Sequence, residues 1–152
     1  MTVAFRRVTF VRSSPELVFD RSLDVEFHLA SMARSRERAI AGVTTGRLGS
    51  GDTVTWQAWH FGLRFRMTSR ISAWDRPTMF VDEQVRGPFR WFCHLHTFEP
   101  IYGGTRMIDD VAYAAPLGPI GIAAERIVLG RYLEQLIDER NRALCHSFTT
   151  GD

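Results

Sequence analysis

The sequence predicts an α+β fold: a curved antiparallel sheet of about seven strands wrapped around a long C-terminal helix, in the order β-α-α-β6-α. Three observations carry that prediction. Apolar and polar residues alternate in blocks from Arg38 to Pro116, with turn chemistry between the blocks. A strand-like opening leads into two capped helix starts. The chain then closes on nearly 30 residues without a proline, apolar at helical spacing.

Val3 to Arg12, rich in Val, Phe and Thr, reads as the first strand. Ser14, Pro15 and Glu16 supply the N-cap, first residue and first-turn acid of a short helix. Asp24 caps a second helix, expected from Val25 to about Ser35, and the pair should form one V-shaped brace. Five breaks follow: "GSGD" (49–52), Gly62, "DRP" (75–77), "RGP" (86–88) and "YGG" (102–104). They separate six strands, 38–48, 52–61, 63–74, 78–86, 89–99 and 105–115. Connections this short imply antiparallel neighbours and a meander.

The final helix carries Leu129, Leu133, Leu136, Ile137 and Leu144 on one stripe, extended by Ile122 and Phe148. Glu125, Arg126, Glu134, Asp138, Glu139 and Arg142 mostly fill the other faces. A twisted sheet of this size needs its apolar face covered, and this helix is available to cover it. If the sheet curls round the helix, the space between them is a usual place for a small-molecule site.

Composition narrows the functional classes. The 152 residues suit one domain, 1–152, and are 45% hydrophobic and 24% charged, as in ordinary globular proteins. No apolar run approaches the roughly 18 residues of a membrane span, so membrane insertion is not expected. The N-terminal "MTVAFRRVTFVR" lacks the apolar block of a signal peptide, which points to the cytoplasm. Cys93 and Cys145 have no paired spacing and read as reduced structural thiols. All 19 basic residues are arginine, spread through the chain beside 17 acids for a net charge of +2. Nucleic-acid binding would call for a basic patch instead. In "LRFRMTSRI", Arg64, Arg66 and Arg70 simply alternate with Phe65, Met67 and Ile71, giving a wet face and a dry one.

The element order, together with "FVDEQVRGPF", "HLHTF", "TRMIDDVAYAAPLGP" and the closing helix, resembles the START-like (SRPBCC) superfamily of helix-grip proteins. More narrowly, it is similar to the bacterial ligand-binding branch often called polyketide cyclase/dehydrase-like. The resemblance spans the chain and implies a ligand cavity and no metal. It does not fix a function, because the fold hosts carriers, sensors and enzymes. The family's stretch after the Gly-Pro-Phe turn runs Trp-x-His-x-His-x-Phe; here Phe92 stands at the Trp position, while His94, His96 and Phe98 match.

Strand periodicity puts Phe92, His94, His96 and Phe98 on one face and Trp91, Cys93, Leu95 and Thr97 on the other. Both faces are apolar enough that alternation leaves the choice open, and the resemblance turns the histidines inward. Trp56, Ala58 and His60 should then face the cavity, with Phe65, Met67 and Ile71 beside them. Phe80, Asp82 and Gln84 follow, then Met107, Asp109, Val111 and Tyr113. From these come the expected ligand-binding residues: Trp56, His60, Met67, Asp82, Gln84, Phe92, His94, His96, Asp109 and Tyr113. Pairing of the inward residues would set Asp82 opposite His94, and His94 opposite Asp109, as a buried Asp–His–Asp row. His28 and His146 are expected to serve on helix surfaces or in packing. The Gly103-Gly104 pair is hairpin chemistry, and Gly118 and Gly121 mark an expected gating loop before the last helix.

Four readings of the histidines compete. A His-x-His pair with Asp82 or Asp109 is one metal-ligand pattern, though much weaker than a four-ligand spacing. An enzyme of the cyclase/dehydratase kind would use His94 or His60 as base, with Asp109 as acidic support and Gln84, Tyr113 or His96 as donors. A core filled by side chains would make the histidines structural. The reading with fewest assumptions is a binding protein whose polar groups orient a small hydrophobic or amphipathic ligand, with no metal or cofactor. The outward Trp91 and Leu95 offer surface for a homodimer contact.

Overall fold

The computed structural model describes residues 2–115 and 122–149, with side chains in the second segment from 128 onward. The positions of Gly118 and Gly121, and the side chains of Ile122, Glu125 and Arg126, lie outside the described residues. The elements run β1 (Thr2–Val11), α1 (Pro15–Ser22), α2 (Val25–Ser31), β2 (Arg38–Gly42), β3 (Thr53–His60), β4 (Leu63–Asp75), β5 (Met79–Arg86), β6 (Trp91–Ile101), β7 (Gly104–Ala114) and α3 (Ile122–Thr149). All seven strands form one antiparallel sheet in the order β1-β7-β6-β5-β4-β3-β2. β2 to β7 are the predicted meander, and β1 closes it by pairing along β7.

Local chemistry explains the boundaries. Ser14 Oγ accepts from Leu17 N–H to start α1, and Asp24 Oδ1 accepts from Phe27 N–H at 2.7 Å to start α2. α2 is shorter than the expected 25–35. It passes at Met32 into a single 3₁₀ turn, Ala33–Ser35, and Arg36 at φ 50° ends it. Ser31 and Ser35 hydroxyls donate back to the His28 and Met32 carbonyls, a bonding pattern that competes with helix continuation. Phe61 and Gly62 both have positive φ, as the two-residue β3–β4 hairpin requires.

The strand expected over 38–48 stops at Gly42. That glycine has φ +74°, and a Cβ there would sit 2.2 Å from the Thr53 carbonyl oxygen. Beyond it the chain leaves the sheet and brackets the α1–α2 junction. Val25 N–H donates to Gly46 O at 2.8 Å, and Leu48 N–H to Leu23 O at 3.0 Å.

Arg64, Arg66 and Arg70 are exposed, while Ile71 is buried on the concave side. One end of that side is tightly filled. Phe19 of α1 meets Phe80 and Phe98 edge-on, each at 5.4 Å between ring centroids, beside buried Met107 and Leu144. The other end, between β3–β4, α2 and the first described turns of α3, is hollow. No helix among the described residues is long and apolar enough to cross a membrane.

Candidate functional site: a cavity with a buried polar wall

The hollow end is a cavity of about 540 Å³. Trp56, Ala58, Phe65, Met67, Phe92 and Leu133 supply much of its apolar wall, and His60, Asp82, His94 and His96 are among its polar groups. Phe61 and Val128 also line it and are 59% and 57% exposed, so the wall reaches the surface between the β3–β4 turn and α3.

Three expected site residues do not face the cavity. Gln84 instead clamps the β5–β6 connection: its Nε2 donates to Phe89 O at 2.9 Å, and its Oε1 accepts from Phe89 N–H at 3.2 Å. Tyr113 is buried behind the wall against Phe89 and Phe92. Asp109 is fully buried behind His94 and His96. Met107, also expected inward, belongs to the filled end. In each case the strand face is the expected one; Gln84, Asp109 and Tyr113 stand level with cavity-lining Ser69, His96 and Phe92, and Met107 alone of the four lies beyond the hollow part along its strand.

The register differs from expectation by one inward step. Asp82 does pair with His94 across β5–β6, but Asp109 pairs with His96, and His94 stands opposite Val111. His94 nevertheless reaches Asp109 diagonally, Nε2 to Oδ1 at 2.8 Å. His96 Nδ1 lies 3.3 Å from the same oxygen, off the line a hydrogen bond needs. Its ring is packed flat between His94, at 3.7 Å, and Phe80, at 4.1 Å.

Asp109 is the hub of this wall. Asn141 Nδ2 donates to its Oδ2 at 2.8 Å, and the guanidinium of Arg140 comes within 4.0 Å of Oδ1. Burial pushes the Asp109 pKa up, and the histidine contacts override it, holding the carboxyl well below its usual range. Burial drives the His96 pKa well below 6.5, with His94 adding to the effect, so His96 is a neutral imidazole. Burial also lowers the pKa of His60, whose Nδ1 is in hydrogen-bond contact with Tyr132 OH.

Asp82 has the opposite fate. Burial raises its pKa above 3.8, and its Oδ1 has no hydrogen-bond partner among the described residues. The part of Asp82 that remains accessible faces the cavity it lines. Burial therefore favours the protonated form of this carboxyl, the form that can donate.

His94, His96 and Asp109 hold atoms within 4.8 Å of one another, a spacing that admits a metal. The arrangement does not fit one. The rings are stacked 20° from parallel, so their in-plane lone pairs run side by side instead of converging. Positive charge is already supplied to Asp109 by Arg140.

Several wall residues lie beyond what the sequence pattern picks out. Arg140 and Asn141 are 4% and 3% exposed on α3. Their signal was present: Arg140 falls three residues after Ile137 and four before Leu144, on the apolar stripe. His28, expected at a helix surface or in packing, packs 4.2 Å from the Trp56 ring and also lines the cavity, with its Nε2 2.7 Å from Glu37 Oε1. Phe5, Ser69 and Tyr132 also line the cavity, and nothing local in the sequence distinguishes them.

Solved structures share this architecture. TTHA0849 from Thermus thermophilus matches with a TM-score of 0.80 at 18% identity, over 99% of each chain. The Zhui aromatase/cyclase from Streptomyces sp. R1128 matches at 0.74 and 15% identity, over 97% of this chain and 93% of its own. Ara h 8.0201 matches at 0.66 and 14% identity, over 95% of each. No protein-family model and no curated protein matches the sequence. The chain therefore shares the helix-grip fold of these structures. At such identities the likeness speaks for the fold alone.

Proposed function

We propose that this protein binds a small hydrophobic or amphipathic ligand in the cavity between its curved sheet and α3. The observation that carries the reading is the cavity itself: about 540 Å³ walled by aromatic and aliphatic side chains, with few polar groups. That volume lies in the range of roughly 300–1,000 Å³ usual for small-molecule sites. Apolar area supplies affinity, and Asp82, His94 and His60 supply orientation. Native mass spectrometry of untagged protein from its own host tests it. The expected result is an added organic mass that is lost on denaturation. A bare polypeptide mass, together with no thermal shift from a panel of hydrophobic compounds, would overturn the proposal.

One observation favours a second reading, a cyclase/dehydratase-like enzyme. His94 has a carboxylate, Asp109, hydrogen-bonded at Nε2, and that carboxylate is itself held by Asn141. A supported imidazole can remove a proton next to a carbonyl, and neighbouring Asp82, whose pKa burial raises, would steady the enolate by donating to it when protonated. The Zhui aromatase/cyclase has the same fold. His94→Ala separates the readings: an enzyme loses turnover while keeping product affinity, and a binder loses only affinity, modestly.

A further inference from the structure

The cavity has a second polar feature, on the side of α2, that the network around Asp109 does not reach. His28 and Glu37 both line the cavity. Glu37 is 10% exposed at its side chain and sits 2.7 Å from His28 Nε2. The His28 ring lies over Trp56 at 4.2 Å between centroids, which fixes its plane. Its other nitrogen, Nδ1, has no hydrogen-bond partner among the described residues and is not sealed from solvent-sized space.

In the neutral imidazole, a carboxylate at Nε2 holds the proton there and leaves Nδ1 as a lone-pair acceptor. The same carboxylate makes the ring a stronger acceptor, as it does for histidines that ligate metals. Such an acceptor selects a ligand group that donates, and donates best when the group is acidic. A ligand carboxylate is disfavoured, since it brings a second negative charge beside Glu37. An ammonium is disfavoured because its desolvation into this apolar space is costly. What remains is a neutral, weakly acidic hydroxyl on an apolar ring system.

We propose that the His28–Glu37 pair is a recognition site for a phenolic or enolic hydroxyl, read by His28 Nδ1 while the ligand's ring system lies along the aromatic wall. This rests on the ligand-binding reading above and narrows it to hydroxylated ring compounds. Glu37 is a positioning residue, acting through His28.

The test compares β-naphthol with its methyl ether, which keeps the ring and loses the donor. Binding is followed by tryptophan fluorescence at a pH above the ordinary histidine range. The native protein is expected to prefer the naphthol about tenfold, the size of one net hydrogen bond. His28→Phe keeps a ring over Trp56 and is expected to abolish that preference; Glu37→Gln is expected to reduce it part-way. Should His28→Phe fail to fold, the Glu37→Gln ratio decides alone. Equal affinity for both probes in the native protein, or an unchanged ratio in the variants, would overturn the site while leaving the cavity a binder. Tighter binding of naphthylmethylammonium than of the naphthol would overturn the hydroxyl class. If neither probe binds, this site is overturned, and the panel of hydrophobic compounds decides the ligand-binding reading separately.

Discussion

The two ends of the concave face are built from the same strands with the same alternation, yet one is solid and the other hollow. At the solid end α1 delivers Val18 and Phe19, both fully buried, into the rings of Phe80 and Phe98. At the hollow end the facing elements are α2 and α3 from Val128 onward, and a cavity remains between them and Phe65 and Met67. Between the ends stands the Asp109 hub with Arg140 and Asn141. A half-buried sheet face thus specifies that something apolar will cover it; the reach of the covering side chains specifies whether space remains.

Breaking the partition between the ends should have the largest effect. Asp109→Ala leaves the Arg140 cation buried without its partner and is expected to cost about 3–5 kcal/mol, measured by denaturant unfolding. Next comes the contrast itself. Phe19→Ala at the solid end should cost about 3–5 kcal/mol. Met67→Ala at the hollow end, where one side of the residue already faces empty space, should cost about 1 kcal/mol or less. Comparable losses at the two sites would show that the hollow end is packed in solution.

Asp82→Asn should move the other way. The folded-state pKa of Asp82 lies above 3.8, so the folded protein holds the extra proton, and stability falls as pH rises from the unfolded value through the folded one. At neutral pH the asparagine avoids that loss, and the variant is expected to melt at a higher temperature than the native protein. A lower melting temperature for Asp82→Asn at neutral pH would contradict a raised pKa.

The smallest effect is a pH trend. His96 and His60 have folded-state pKa values below 6.5, so the unfolded chain takes up protons first as pH drops through that value. Stability should therefore decline below about pH 6.5, and His96→Phe should flatten the decline in thermal melts. Asp109, whose folded pKa is depressed, adds a further loss only at lower pH, as the solution passes through its folded value.

Much of the fold was legible one residue at a time. Ser14 and Asp24 as caps, the turns at Gly62 and Gly103, the wet and dry faces of β4 and the amphipathic α3 are all matters of local chemistry. The inward direction of His94 and His96 needed the family resemblance, because both faces of β6 are apolar. Less was legible at the site. Gln84 and Tyr113 share the inward face with true cavity residues and stand level with two of them, Ser69 and Phe92, and periodicity says nothing about which side chain covers another.

The chain's own pattern determined which residues are strand, which are helix and which side of each is apolar, because these follow from backbone geometry and near neighbours. Tertiary structure alone decided four things. It put β1 beside β7, and it paired His96, not His94, with Asp109. It also brought Glu37 to His28 and Asn141 to Asp109. The first of these contacts joins α2 to the connection before β2, and the second joins α3 to β7 across 32 residues. No local periodicity encodes such a meeting; it follows from how the sheet curls and where α3 lies across it.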